Sequence, residues 1–143
     1  MRGTNEPNII GNELKYISKS IKNNEIAVGR NLFFFEKKLK KNLKAKHLVL
    51  CSSGTAALQV ALKAIGLKKN DEVIVPSFTF IATINSVIYN NCQPIFMDCD
   101  EHCNINVDKV LEFLKNNTFK KGNYTFNKKT KKRIYAIIIT HVW

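Results

Sequence analysis

Leu48-Val49-Leu50-Cys51-Ser52-Ser53-Gly54-Thr55-Ala56-Ala57-Leu58 decides how this chain is read. Its first half, with His47 in front, is a short continuous apolar run of the kind carried by a strand buried on both faces. Ser52-Ser53-Gly54-Thr55 interrupts that run with small, hydroxyl-bearing residues. Ala57, Val60, Ala61 and Ala64 then recur at helical spacing, and Gly66 stands where a helix C-terminus favours a left-handed residue. The reading is strand, tight loop, helix.

Working outward, the unit repeats. Glu72-Val73-Ile74-Val75 reads as a strand broken by Pro76-Ser77, and Phe80, Ile84, Val87 and Ile88 carry the next helix. Pro94-Ile95-Phe96-Met97-Asp98 is the third strand, with Val107, Val110, Leu111 and Leu114 marking a helix behind it. A hairpin is expected around Gly122-Asn123, then a strand over Ile134-Tyr135-Ala136-Ile137-Ile138-Ile139. Apolar strands alternating with helices specify an α/β fold with a mainly parallel sheet flanked by helices. Toward the N-terminus, Ile10, Leu14, Ile17 and Ile21 share one helix face, with Asn8 among the plausible starting caps, and Phe35, Leu39 and Leu43 mark a second helix after Gly29. The expected division is a helical segment over 1–46 and an α/β domain over 47–143. The last strand runs into Thr140-His141-Val142-Trp143 with no helix behind it, so the domain is expected to be truncated.

Composition narrows the class. With 45% hydrophobic and 24% charged residues, the 143-residue chain can bury a sizeable core. No apolar run reaches the roughly 18 residues of a membrane span, and the first residues lead into no signal-peptide hydrophobic region, so a cytoplasmic protein without a membrane partner is expected. Cys51, Cys92, Cys99 and Cys103 form no CxxC and read as reduced thiols. A net charge of +12 raises the possibility of a basic nucleic-acid-binding domain. The lysines are spread from Lys37-Lys38-Leu39-Lys40-Lys41 to Lys128-Lys129-Thr130-Lys131-Lys132 rather than gathered into one motif, so no nucleic-acid partner is expected.

In open α/β sheets ligands collect beyond the carboxyl ends of the strands, and Ser53-Gly54-Thr55 is predicted to lie there. Ser53 and Thr55 offer hydroxyls, Gly54 admits close approach of the backbone, and the helix N-terminus presents N–H groups with a favourable dipole for a phosphate. The simpler reading is that Ser52, Ser53 and Thr55 only cap the helix. The loop fits neither GxxxxGK[ST] nor GxGxxG. Asp98-Cys99-Asp100-Glu101-His102-Cys103 gathers carboxylates, thiols and an imidazole, but neighbours at a strand end face opposite ways and no second ligand pair stands at zinc spacing, so no metal is expected.

Three ordered blocks carry a family resemblance: Cys51-Ser52-Ser53-Gly54-Thr55-Ala56-Ala57-Leu58, Asp71-Glu72-Val73-Ile74-Val75-Pro76-Ser77-Phe78-Thr79-Phe80, and Asp98-Cys99-Asp100 followed by Asn104-Ile105. Through them residues 47–106 resemble the DegT/StrS-type sugar aminotransferases, which depend on pyridoxal 5'-phosphate (PLP). The resemblance implies the large-domain portion of the type I PLP-dependent transferase (aspartate aminotransferase-like) fold. It implies that Gly54 and Thr55, with Ser53, hold the coenzyme phosphate, that Phe80 stacks on the pyridine ring, and that His141 lies near the pocket. It also implies transfer of an amino group from an amino acid, usually glutamate, to a keto group of a nucleotide-linked sugar for surface glycan synthesis, in a homodimer. Asn116-Asn117-Thr118 through Arg133, followed by Ile139 to Val142, resembles members acting on UDP-linked 4-keto-6-deoxy-N-acetylhexosamines. In the family the Schiff-base lysine and the carboxylate paired with the pyridine nitrogen come later than residue 143, so no catalytic lysine is assigned and the chain alone is expected to be inactive. A related PLP-dependent sugar dehydratase, and a non-catalytic phosphate-binding module or inactive remnant, remain as alternatives.

Overall fold

The computed structural model describes residues 7–141 and divides the chain into two units, residues 1–50 and 51–143. The first holds α1 (Glu13–Lys22) and α2 (Arg30–Asn42). Asn8 is not the cap of α1, and Ile10 lies before the helix. The start is fixed by the Glu13 carboxylate, which accepts the Gly11 N–H at 2.8 Å, an acid placed where the helix dipole favours one. Both helices end alike. Asn24 and Lys44 adopt left-handed φ of 56° and 51°, and the amides of Glu25 and Ala45 return to the carbonyls of Ser20 and Lys40. That closure satisfies the orphan carbonyls of the last turn. Asn31 donates to the Ser20 hydroxyl at 2.9 Å and fastens α2 to α1.

The second unit runs α3 (Gly54–Ala64), β1 (Glu72–Pro76), α4 (Ile81–Ile88), β2 (Gln93–Met97), α5 (Val107–Asn116), β3 (Thr118–Lys121), β4 (Tyr124–Asn127) and β5 (Arg133–Ile137). The sheet order is β2-β1-β5-β4-β3. β1 pairs in parallel with β2 and β5, whereas β5, β4 and β3 are antiparallel. The sheet is thus mixed, its parallel part being the three strands that carry the α/β crossovers. The hairpin turns at Gly122, whose φ of +60° suits a residue without a Cβ.

β1, the middle strand of the parallel part, is buried along its whole length. Its alternation divides the core. Val73 and Val75 pack with Leu62 of α3 and Val87 of α4 on one face, while Ile74 packs with Met97, Ile105 and Val110 of α5 on the other. The continuous apolar Val73-Ile74-Val75 thereby acquires a partner on each side.

One expected strand is absent. Residues 47–51 form no β ladder among the described residues, and Val49 is 75% exposed. A strand exists only with a hydrogen-bonded neighbour, which an apolar run cannot guarantee by composition. The loop and the helix that follow are as expected, and Gly66 takes φ +95° just beyond α3.

Candidate functional site

α3 ends near the start of β1, joined to it through a short turn in which the Lys68 amide donates to Asp71 at 2.7 Å. Eleven helical residues span about 16 Å, and Leu62 near the C-terminal end of α3 packs against Val73 and Val75 of β1. Ser53 is the N-cap, in extended geometry, and its hydroxyl accepts the Ala56 amide at 3.2 Å. The capping role is therefore real, and it leaves work undone. The Ala57 amide bonds the Ser53 carbonyl, but the amides of Gly54 and Thr55 have no partner among the described residues. A Cβ built at Gly54 would meet nothing within 4 Å. Two N–H groups, a half-buried threonine and open space converge where a dipole favours an anion.

Phe80 lies one position ahead of the helix in which its spacing placed it. It is the N-cap of α4, with φ −67° and ψ 140°, and it is 78% exposed. It is not a core residue. Its backbone is nonetheless fixed, since the Thr83 amide donates to its carbonyl at 3.0 Å. A large apolar ring held out from a fixed backbone is what a flat ligand needs as a platform.

The loops at the carboxyl edge are sewn together. The Ser77 amide bonds the Met97 carbonyl at 2.7 Å, and the Phe78 amide reaches the Cys99 sulfur at 3.4 Å, joining the ends of β1 and β2. The Thr79 hydroxyl lies 2.9 Å from that of Thr83 and 3.1 Å from that of Thr140, joining the end of β1 to the segment after β5. His141 follows Thr140 directly and is exposed.

Asp98-Cys99-Asp100-Glu101-His102-Cys103 is occupied in building its own loop. Asp98 pairs with Lys109 at 2.5 Å, and this partner pushes the lysine above its ordinary pKa. Asp100 accepts the amides of His102 and Asn104, each at 2.9 Å. No sequence pattern singles out Thr79, Thr83 and Thr140 as members of one knot, or Cys99 as the partner of Phe78. Thr79 and Thr83 are spaced for contact at a helix start, but nothing local signals Thr140, 61 residues away.

Residues 7–143 match the DegT/DnrJ/EryC1/StrS aminotransferase family. The chain is 32% identical over 140 residues to GDP-perosamine synthase of Vibrio cholerae, covering 96% of this chain and 34% of that protein. It is 53% identical over 55 residues to a UDP-N-acetyl-3-dehydro-alpha-D-glucosamine 3-aminotransferase of Acidithiobacillus ferrooxidans, covering 38% of this chain and 15% of the other. A crystal structure of a DegT/DnrJ/EryC1/StrS aminotransferase from Brucella abortus superposes with TM-score 0.73 at 31% identity, over 88% of this chain and 32% of that one. NtdA of Bacillus subtilis, solved with the bound cofactor PMP, superposes with TM-score 0.65 at 34% identity, over 69% of this chain and 23% of that one. The chain therefore spans about a third, or less, of the length of these relatives.

The mixed sheet, its flanking helices and the glycine-bearing helix start define an α/β domain of the fold type I aminotransferases. More particularly, the chain belongs to the DegT/DnrJ/EryC1/StrS aminotransferase family.

Proposed function

We propose that this chain supplies the phosphate-binding wall of a PLP-dependent aminotransferase that passes an amino group from an amino acid, glutamate being the expected donor, to a keto group of a nucleotide-linked sugar in surface glycan synthesis. The observation that carries the reading is the first turn of α3, where the Gly54 and Thr55 amides have no partner among the described residues and a Cβ at Gly54 would enter open space. These residues fit a phosphate. Gly54 and Thr55 would hold it through N–H groups and the Thr55 hydroxyl, with Ser53 ordering the turn through its bond to Ala56. Phe80 would carry the ring, and His141 would border the pocket. When bound, PLP supplies an electron sink and a carrier for the amino group. The part of this chain is to bind, orient and keep one face of the ring out of water. Relatives named for both GDP-linked and UDP-linked sugars support the nucleotide-sugar class.

Assembly as a homodimer is part of the same reading. Phe33, Phe34 and Phe35 are 63, 62 and 55% exposed, an apolar surface suited to a second copy. Among the described residues no helix is long and apolar enough to cross a membrane, in keeping with the proposed cytoplasmic setting.

The test compares pyridoxamine phosphate with pyridoxamine, neither of which has an aldehyde to react with the surface lysines. The phosphorylated compound is expected to bind at least about tenfold more tightly, roughly 1.4 kcal/mol. Equal affinities would remove the phosphate reading. Amino transfer is checked, in a protein that carries this chain and has the length of these relatives, by formation of 2-oxoglutarate from glutamate with GDP- and UDP-linked 4-keto sugars.

A further inference from the structure

Phe80 is 78% exposed as a residue, yet its backbone is tied down. The tie begins one residue earlier. Thr79 is half-buried, and its hydroxyl sits between those of Thr83, 4% exposed at the start of α4, and Thr140, half-buried in the segment after β5. A threonine hydroxyl has one proton, so Thr79 donates to at most one of these partners and accepts from the other. The Thr83 backbone amide closes the turn on the Phe80 carbonyl. Thr83 therefore holds both sides of Phe80, through the hydroxyl of residue 79 and the carbonyl of residue 80. The same Thr79 oxygen holds Thr140, the residue before His141.

We infer that Thr79 is a positioning residue that sets the place of the Phe80 platform relative to the Thr140-His141 segment, and through it the slot for the coenzyme ring. The inference rests on the reading of Phe80 as the ring platform. Thr79 touches neither ring nor phosphate in this role; it acts through Phe80 and Thr140. Among the described residues no hydrogen bond joins the knot to the α3 turn, the Ser53 hydroxyl bonding Ala56 within its own helix start. Ring placement and phosphate binding are thus separable by mutation.

The experiment measures two ligands against three forms of the protein. Thr79→Val keeps the side-chain shape and removes the hydroxyl, whereas Thr79→Ser keeps the hydroxyl. Thr79→Val is expected to weaken pyridoxamine phosphate about threefold to tenfold, the range that loss of an ordinary hydrogen bond gives, while leaving inorganic phosphate affinity unchanged. Thr79→Ser is expected to restore most of the affinity. In hydrogen exchange, Thr79→Val is expected to raise exchange together at residues 78–80 and 139–141. A variant that weakens both ligands alike has a general structural effect, and that result overturns the inference. So does a variant that binds pyridoxamine phosphate as the wild type does. If Thr79→Val fails to fold, Thr140→Val, which breaks only the far arm of the knot, is judged by the same two ligands. A wild-type protein that binds neither ligand removes the phosphate cradle itself, which is distinct from a wild type that binds both and a variant that changes nothing.

Discussion

The Asp71 carboxylate grips the Arg133 guanidinium with both oxygens, Arg133 Nε lying 2.9 Å from Oδ1 while Nη2 bonds Oδ2. The pair stands at the amino ends of β1 and β5 with side chains only 8 and 13% exposed, and the guanidinium lies over the rings of Tyr124 and Tyr135, 5.1 and 4.1 Å from their centroids. The Asp71 contact pushes the arginine above its already high pKa, so the guanidinium stays charged at any pH of interest. Beside it Asn127 donates to the buried Glu72 at 2.9 Å. These contacts join the parallel part of the sheet to its antiparallel hairpin.

Breaking such a pair from one side strands a buried charge, at a cost of about 3 kcal/mol or more. Asp71→Ala is therefore expected to lower the urea midpoint steeply, whereas Lys129→Ala, at an exposed position a few residues from Arg133, should change stability by less than about 0.5 kcal/mol. Equal midpoints for the two variants would show that the pair does not hold the start of β5 to the start of β1.

A second prediction concerns the thiols. Cys92 is 5% exposed and donates to the Lys68 carbonyl at 3.0 Å; burial, and then the Asp71 charge, push its pKa above the ordinary 9.0. The folded state thus keeps a proton that the unfolded chain loses. Stability is undiminished below the ordinary thiol value and falls as pH rises past it toward the raised one. Unfolding midpoints at about pH 7.5 and about pH 10 should show a drop that shrinks in Cys92→Ala relative to the wild type. In the native protein the exposed Cys51 should alkylate well before Cys92. Reaction of Cys92 as fast as Cys51 would contradict its placement in the core.

Much of the fold was legible in the sequence for identifiable reasons. Val73-Ile74-Val75 is apolar without a break because helices cover both faces of β1, and Gly122-Asn123 marks a real turn. His47 to Cys51 has the same apolar character but no ladder, since periodicity records what a residue prefers to bury and not which neighbour it finds. The α1 start was misplaced because Glu13, and not an asparagine side chain, marks it. Ser53, Gly54 and Thr55 could be read locally, as a helix start is a local structure. The partners of Thr79 and Asp71, 61 and 62 residues away, are set by the sheet order, which no local pattern encodes.

Gly54→Ala probes whether the first turn of α3 holds the coenzyme phosphate. A Cβ there meets nothing within 4 Å in the protein, and alanine favours helix over glycine by up to about 1 kcal/mol, so the variant should be at least as stable as the wild type. The added methyl stands beside the Gly54 and Thr55 amides. Titration calorimetry with pyridoxamine phosphate is expected to show binding by the wild type and a loss of about tenfold or more in the stable variant. Undiminished binding by Gly54→Ala, or none by the wild type, would contradict the account.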